Sequence, residues 1–302
     1  MRYICAQPAT IYYSWQVDVM IYSFLKNGIN PSQIDIVFAD VPKYDNACYY
    51  LLEKYPNVNF YFYPDTRKQV KYISSIRPHI LKIHFYKYPD LYRGTFLYHD
   101  CDIVLTKPLD LSHYVCGCDQ TCYLSNTISY IGYDYILSKG EDVLDLMCEV
   151  ANISKQTLKD NQENSGGAQY LLKNIDYKFW EKVETDCENL FVEVVKLNTT
   201  KKTKDKNYHE LQIWCADMWA VLWNLWKDNR KTKIIDELNF TWATHSIDDF
   251  GTYPIYHNAG VNDNLERKFH KADFIRKKPT KDLDIDSNYA FYGYYQLVKQ
   301  IL

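Results

Sequence analysis

The sequence lacks a strong net charge and any long apolar run. Its 302 residues carry 35 basic and 38 acidic side chains, so the formal net charge is only −3. Nucleic-acid-binding domains usually show a clear basic excess, and a membrane-spanning helix needs roughly 18 or more consecutive apolar residues. We therefore expect neither a nucleic-acid partner nor a membrane span.

Glycine-rich phosphate-binding loops are also missing. With only 10 glycines, the chain contains neither G-x-G-x-x-G nor G-x-x-x-x-G-K, which excludes the dinucleotide-binding enzymes and NTPases that use those loops. No signal peptide is visible, because Asp18 interrupts the only apolar candidate. The 9 cysteines form no regular framework, so we expect free thiols and a cytoplasmic location. The cluster His113, Cys116, Cys118 and Cys122 does not have the spacing of a zinc site.

Aromatic residues are the one marked excess, at 16% of the chain with 29 tyrosines. Aromatic rings dominate recognition surfaces, but binding sites are few per protein. We expect most of these rings to reflect a gene rich in A and T and to serve packing. The exceptions to examine are Tyr12, Tyr13, Trp214 and Trp219, which lie beside candidate site residues.

Alternating strand and helix patterns predict an α/β fold. We expect strands at 3–6, 34–38, 58–63 and from 96, and helices at 14–26, 46–55 and 73–86. Such alternation indicates a mainly parallel sheet flanked by helices, with ligands at the C-terminal strand ends. The less regular remainder predicts a strand at 122–133, helices at 141–159, 168–173 and 214–226, a mobile loop at 200–206 and an aromatic segment at 289–297.

Three aspartates and a histidine are the candidate chemical groups. Asp100 and Asp102 follow an apolar strand at i, i+2, where extended backbone points both carboxylates to one side. They suit Mg²⁺ or Mn²⁺, or they form a capping pair. His257 is a further metal ligand or a structural histidine. Asp217 is the only ionisable residue within an otherwise apolar helix core, so it acts in chemistry or is a paired structural acid.

Gly166 and Gly167 precede a predicted helix, Ala168 to Lys173. Glycines there let the backbone approach a ligand closely, and a helix N-terminus favours anions. A plain tight turn explains the pair equally well.

In combination these motifs resemble the GT-A glycosyltransferases, which use a nucleotide-sugar and a divalent cation. Residues 166–172 (GGAQYLL) are similar to the Gly-Gly-Asp-Gln-x-Leu-Leu stretch of glycogenin-like enzymes. A closer resemblance is to plant peptidyl-serine galactosyltransferases and hydroxyproline arabinosyltransferases. It is carried by four segments: 15–16 (WQ), 77–81 (RPHIL), 214–219 (WCADMW) and 257–260 (HNAG).

The resemblance implies a single glycosyltransferase domain over 1–302, with a nucleotide-binding half at about 1–110 and an acceptor and sugar half at about 111–302. It implies transfer of a sugar, from a UDP-sugar in the first instance, to a hydroxyl of a glycan or protein, with a lean towards retention of configuration. The implied Mn²⁺ or Mg²⁺ ligands are Asp100, Asp102 and His257. Donor contacts are implied for Gln7, Ala9, Thr10, Gln16, Arg77, Asp100, Gly166, Gly167 and Gln169, and Asp217 is the implied catalytic acid group.

Departures from these families leave rival functions open. Ala168 stands where glycogenin-like enzymes have an aspartate, which leaves the transferred sugar undetermined. Residues 100–104 also fit the D-x-D-x-[TV] signature of haloacid-dehalogenase-like phosphatases, with Asp100 as nucleophile. Those enzymes usually begin with that strand and carry a later Gly-Asp motif, and no Gly-Asp dipeptide occurs here. A non-catalytic sugar-binding module is the third possibility.

Overall fold

The structure is a computed structural model that describes residues 1–40, 47–115 and 119–302. The strands are β1 (Arg2–Pro8), β2 (Ile34–Asp40), β3 (Asn59–Pro64), β4 (Thr95–His99), β5 (Ile103–Leu105), β6 (Cys122–Asn126), β7 (Gly166–Lys173), β8 (Thr232–Ile234), β9 (Phe240–Trp242) and β10 (Ile255–His257). The α-helices are α1 (Ile11–Lys26), α2 (Tyr50–Lys54), α3 (Ile76–Lys87), α4 (Ser112–Val115), α5 (Ile128–Ile131), α6 (Tyr133–Leu137), α7 (Glu141–Ala151), α8 (Lys155–Asp160), α9 (Tyr177–Lys204), α10 (Ala216–Lys227) and α11 (Ala290–Ile301).

The chain forms two compact units, each made of separate stretches. The first contains residues 1–64, 96–117 and 236–302, and the second contains 65–95 and 118–235. These units do not follow the division expected near residue 110. The single glycosyltransferase domain stays a prediction.

The first unit is built on parallel strands in the order β3, β2, β1, β4. β1 pairs with β2 and β4 in parallel, and β2 pairs with β3 in parallel. Helices α1 and α2 connect the first three strands, so the predicted βαβ pattern is confirmed. Because the strands are parallel, their C-terminal ends share one edge, where ligands of such sheets bind.

A small second sheet in this unit positions the later histidine. β5 is antiparallel to β10, and β10 is parallel to β9. The register places His257 opposite Ile103. As a result, a residue from the C-terminal part of the sequence lies next to the aspartates that precede β5.

Part of the aromatic excess lies in the core of the first unit. Trp15 of α1 contacts Phe269 and Phe274 edge to face, and Tyr256 stacks on Tyr294 of α11. These five rings belong to one buried cluster. The expectation that the C-terminal aromatics serve packing is therefore confirmed.

The second unit contains the neighbouring strands β7, β6 and β8 and a long helix. β6 pairs with β7 antiparallel and with β8 in parallel. The 28-residue α9 packs against α3, α7 and α10. Sequence patterns did not predict α9, because its apolar positions are interspersed with many charged ones. The buried helix expected at 214–226 is confirmed as α10, preceded by a 3₁₀ turn over Ile213–Cys215.

Several local predictions for the second unit were wrong. Residues 168–173 belong to the fully buried strand β7 rather than to a helix, since a short apolar run fits either structure. Gly166 and Gly167 therefore do not precede a helix N-terminus. Residues 200–204 are the last turn of α9 rather than a mobile loop, and lysines are favourable at that end of a helix.

Two other elements are shorter than predicted. The strand expected at 122–133 ends at Asn126 and gives way to α5 and α6. The helix expected at 141–159 is interrupted at Asn152, whose left-handed φ of 50° separates α7 from α8. The predicted start of a helix at Asn46 lies outside the described residues.

The described cysteines are all buried and free of disulfides, as expected, while Cys116 and Cys118 of the doubtful zinc pattern lie outside the described residues. Within the described ranges, no helix is both long and apolar enough to cross a bilayer.

Gly293 of α11 yields a stability prediction. An added Cβ would lie 2.7 Å from Cγ of Phe250 and 2.8 Å from both Cδ atoms of its ring. We expect Gly293→Ala to lower the free energy of unfolding by about 1–3 kcal/mol through overpacking, although alanine normally improves a helix by about 1 kcal/mol. Urea unfolding measures the difference. As a control, Gly94→Ala meets only the Leu91 carbonyl oxygen at 3.4 Å and should change stability by less than about 0.5 kcal/mol. Stabilisation by Gly293→Ala would contradict the packing argument.

Candidate functional site

The first unit brings Asp100, Asp102 and His257 together. The two aspartates lie in the turn between β4 and β5, and His257 ends β10. Their ligand atoms lie within 4.8 Å of one another. His257 Nε2 is 3.3 Å from Asp102 Oδ1 and 3.8 Å from Asp100 Oδ2. The proximity expected from the sequence is confirmed, while metal binding itself stays a prediction.

The donor set of this cluster fits a divalent cation. Two carboxylates and one imidazole suit Mn²⁺, and the carboxylates also suit Mg²⁺. The side chain of Asp100 is 25% exposed, whereas those of Asp102 and His257 are nearly buried. Three protein ligands on one side leave coordination positions for oxygen atoms of a ligand.

Lys271 is a member of this cluster that sequence reasoning missed. Its Nζ forms a close ion pair with Asp102 Oδ2. Burial would raise the pKa of Asp102, but Lys271 and then His257 outweigh burial, and the pKa falls well below its ordinary value. Burial would lower the pKa of Lys271, but Asp102, together with Tyr12 and Asp100, outweighs burial, and the pKa is raised. Both groups are therefore charged at neutral pH. Lys271 begins a short 3₁₀ helix, Lys271–Phe274, and no periodicity in the sequence marks it.

His99, the last residue of β4, supports the turn that carries Asp100 and Asp102. Burial lowers the pKa of this histidine to about 4, so its ring is neutral at pH 7. Nδ1 lies 2.8 Å from the carbonyl oxygen of Asp100, and since a carbonyl oxygen only accepts, Nδ1 carries the hydrogen. His99 therefore positions the backbone of Asp100 without adding charge.

The predicted nucleotide contacts lie at the C-terminal end of β1. Gln7 is a buried residue within β1 rather than in the following loop, and Ala9 and Thr10 follow the strand. Ala9 N–H donates to the Ala39 carbonyl at 2.8 Å. The Gln16 amide is buried and donates to the Tyr12 carbonyl at 2.7 Å, which is a contact within α1. The donor-binding roles of these residues stay predictions.

In the second unit, Asp217 is a paired carboxylate at the start of α10. Arg77 Nη2 of α3 lies 2.5 Å from Asp217 Oδ2, and the Tyr72 hydroxyl lies 2.6 Å from Asp217 Oδ1. Asp217 is only 6% exposed. Arg77, expected beside a diphosphate or the sugar, thus has a carboxylate partner, and Tyr72 is a contact that the sequence did not indicate.

The Tyr72 hydroxyl also lies 2.6 Å from the Trp214 carbonyl oxygen. A phenol has one hydrogen, so it can donate to only one of the two acceptors at a time. The carboxylate is the stronger acceptor. Burial, and next the charge of Asp217, raise the pKa of Tyr72 well above its ordinary value. The phenol is therefore a neutral donor that orients Asp217.

Gly166 and Gly167 are required by packing in β7. A Cβ on Gly166 would lie 2.4 Å from the Ser125 carbonyl oxygen, and one on Gly167 would lie 2.6 Å from the Tyr170 hydroxyl and 2.8 Å from Met218 Cε. Close approach of neighbouring strands and α10 explains the pair without a ligand. Its contact with a sugar stays a prediction.

Ala168 and Gln169 form an irregular point in this strand. Ala168 has a φ of 70°, a left-handed conformation that is strained for alanine, and the β6–β7 register shifts nearby. Ser125 Oγ lies close to the Gly167 carbonyl and 2.8 Å from Gln169 Oε1, and it accepts from Gln169 N–H at 3.2 Å. The Gln169 Nε2 group is fully buried and has no hydrogen-bond partner among the described residues. Such a donor and such strain are typical of ligand sites.

Comparison with known proteins was made by sequence and by structure. No family model and no curated protein sequence matches the chain. The bifunctional glycosyltransferase WbbM superposes with a TM-score of 0.52 over 99% of this chain at 13% identity. That likeness decides the fold. The chain has the fold of a glycosyltransferase, and the α/β GT-A prediction is confirmed. This chain spans about half of WbbM, 49% of its length.

Other solved glycosyltransferases superpose less well. An active-site mutant of LgtC has a TM-score of 0.47 at 10% identity, covering 99% of this chain and 96% of LgtC. GlyE of Streptococcus pneumoniae TIGR4 has a TM-score of 0.42 at 12% identity, covering 99% of this chain and 62% of GlyE. Identities this low do not decide between the plant and glycogenin-like families.

The strain at Ala168 leads to a paired stability prediction. Ala→Gly in a buried strand loses about 0.8 kcal/mol of methyl burial and about 0.5–1 kcal/mol of backbone entropy. At Ala168 the relief of about 1–2 kcal/mol of left-handed strain offsets both losses. We expect Ala168→Gly to leave the free energy of unfolding unchanged within about 0.5 kcal/mol. The matched control Ala6→Gly in β1 should lose about 1–2 kcal/mol. Equal losses at the two positions would remove the argument for strain.

The metal prediction is tested without any substrate. We expect the protein to bind Mn²⁺, and Asp102→Asn and His257→Ala to weaken binding by about 100-fold. The first change replaces a charged carboxylate ligand by a neutral amide, and the second removes the imidazole ligand. Electron paramagnetic resonance of free Mn²⁺ measures the affinity. Asp284→Asn, whose side chain is 79% exposed, is the matched control and should bind as the parent does. Unchanged affinity in both ligand variants would exclude the site.

Proposed function

We propose that the protein transfers a sugar from a nucleotide-sugar, with UDP-sugars as the first candidates, to a hydroxyl group of a glycan or protein acceptor. The observation that carries this proposal is the Asp100, Asp102 and His257 cluster on a glycosyltransferase fold. The likeness to solved structures gives the fold, and the cluster supports metal-assisted transfer on that fold.

The donor diphosphate is assigned to the first unit. Asp100, Asp102 and His257 would hold Mn²⁺ or Mg²⁺, and when bound this ion supplies positive charge to the diphosphate as it leaves. Lys271 adds a fixed positive charge against Asp102. A chain of net charge −3 needs such local charge, because it offers no general attraction to an anion.

The nucleoside is assigned to the end of β1. Gln7, Ala9 and Thr10 line the C-terminal end of that strand, where ligands of parallel sheets bind. Gln16 supports this segment through the Tyr12 carbonyl. Tyr12, one of the rings that the sequence marked beside candidate site residues, lies in the first turn of α1.

The sugar is assigned to β7 of the second unit. Gln169 offers a buried Nε2 donor, which suits a sugar hydroxyl. Gly166 and Gly167 keep their proposed sugar contact through the resemblance to glycogenin-like enzymes, since packing alone already accounts for both glycines. Ala168 removes the acid of the glycogenin-like motif, so the transferred sugar need not be that of glycogenin-like enzymes.

Asp217 is assigned a role beside the reacting carbon. A guanidinium contacts one of its oxygens and a phenol the other, and both contacts favour the charged carboxylate. A carboxylate held in this way is better suited to orient an acceptor or to stabilise developing positive charge than to remove a proton. This supports the lean towards retention of configuration. Arg77 then acts on Asp217 as its partner.

Enzyme assays test the function directly. With a panel of UDP-sugars and Mn²⁺, we expect slow donor hydrolysis and faster transfer when an acceptor is added. Asp102→Ala and Asp217→Asn should each lower transfer by about 10³-fold or more, with Asp284→Asn as the active control. Mn²⁺ and UDP together should raise the melting temperature of the parent protein.

Three results would contradict the assignment. Near-normal transfer by either variant removes the role of that aspartate. Turnover of phosphate monoesters that depends on Asp100 favours the phosphatase alternative. Sugar binding with neither activity favours a non-catalytic module.

A further inference from the structure

The second unit holds an exposed tryptophan directly beside Asp217. Trp214 is 60% exposed, whereas Trp15, Trp180, Trp219 and Trp223 are each at most 1% exposed. Trp214 lies in the 3₁₀ turn that leads into α10, three residues before Asp217. Residues three apart in a helical turn face the same side. The ring of Trp214 and the carboxylate of Asp217 therefore belong to one face.

A second exposed apolar side chain is that of Ile73, a residue linked to Asp217 through Tyr72. Ile73 is 79% exposed and follows Tyr72, whose hydroxyl contacts both Asp217 and the Trp214 carbonyl. Scattered surface apolar residues are ordinary. Here, however, both exposed residues are linked to Tyr72, Ile73 as its neighbour in the chain and Trp214 through its carbonyl oxygen. The buried phenol of Tyr72 is in turn bonded to the buried carboxylate of Asp217.

The backbone that carries Ile73 is fixed. Glu188 of α9 accepts hydrogen bonds from Lys71 N–H at 2.9 Å and from Tyr72 N–H at 3.0 Å. Arg67 Nη1 donates to the Ile73 carbonyl at 3.1 Å. The Tyr72 ring stacks on Phe191 with centroids 4.9 Å apart. The exposed position of Ile73 is thus held by specific bonds, and a preorganised surface loses little entropy when it binds a ligand.

We propose that this face, formed by Ile73, Trp214 and the Asp217–Arg77 pair, binds the acceptor and that the acceptor is a carbohydrate. One side of a pyranose ring presents C–H groups, which pack against the electron-rich face of an indole. Its hydroxyls both donate and accept, and the ion pair offers a carboxylate and a guanidinium to them. A purely apolar ligand would add no hydrogen bond to this pair. This inference rests on the proposed glycosyl transfer and adds the acceptor class.

The experiment separates the acceptor site from the transfer activity. The variants are Trp214→Ala and Trp214→Phe, with Tyr86→Ala as the matched control, since Tyr86 is a ring 68% exposed on α3 of the same unit. The probes are methyl glycosides of glucose, galactose and N-acetylglucosamine and a serine-containing peptide. Each is tested with UDP-sugar and Mn²⁺, and donor hydrolysis is measured without any acceptor.

We expect Trp214→Ala to raise the KM for a glycoside acceptor by about tenfold, with donor hydrolysis within about twofold of the parent. Trp214→Phe should restore most of the affinity, and Tyr86→Ala should not change it. In the absence of donor, the same glycoside should protect Trp214 from acrylamide quenching, and this fluorescence component should be missing in Trp214→Ala.

Two results would overturn the inference. In one, the parent transfers sugar but Trp214→Ala leaves the glycoside KM unchanged and the glycosides give no protection from quenching. In the other, only the peptide is an acceptor and only the peptide protects Trp214. If no UDP-sugar is hydrolysed or transferred, the proposed function fails, while protection of Trp214 by a glycoside still reports directly on carbohydrate binding.

Discussion

The candidate metal centre depends on the pairing of two three-residue strands. β5 and β10 are antiparallel with Ile103 opposite His257, and Asn258 N–H continues the ladder by donating to the Asp102 carbonyl at 2.9 Å. A slip of one residue would turn His257 to the other face. The neighbouring Tyr256 prevents this, because its ring is fully buried and stacks on Tyr294. The aromatic core of the C-terminal part thereby fixes the histidine on the aspartate turn, which gives that excess of tyrosine a structural purpose.

The charges at this cluster nearly cancel, so a bound divalent ion would determine the sign of its net charge. The Asp100 and Asp102 carboxylates and the Lys271 ammonium together leave one negative charge. A divalent ion would convert that into one positive charge, which is suited to a diphosphate. Without Lys271, the same ion would only neutralise the two aspartates. In a chain of net charge −3, Lys271 would thus let a metal ion bound at this cluster attract an anion.

Patterns of local sequence predicted the elements whose signal is complete within a short stretch. The strand β1, the helix α1 and the aspartates after β4 were found because buried runs and an i, i+2 pair need no distant information. Strand β7 was mistaken for a helix, since whether Ala168 to Lys173 pairs with β6 is decided by residues far away. Lys271 and Tyr72 were not predicted as site residues for the same reason. Each matters only through a contact with an aspartate that is remote in sequence, and nothing in the local pattern encodes such a contact.

The surroundings of Asp217 bear on the two interpretations that the sequence allows, a group that acts in chemistry or a paired structural acid. As a structural acid it would serve stability, yet a buried ion pair is often no better for stability than an apolar replacement. Tyr72 also holds the Asp217–Arg77 pair in one geometry. The backbone of Lys71 and Tyr72 is in turn anchored by hydrogen bonds to Glu188. These bonds determine the direction of the Asp217 carboxylate rather than the packing of α10. Beside it, Trp214 and Ile73 stay exposed on a rigid backbone where burial would have been favourable. A carboxylate fixed in direction beside an apolar surface left open to solvent is the arrangement that recognition requires, and it is this combination that favours a functional role for Asp217.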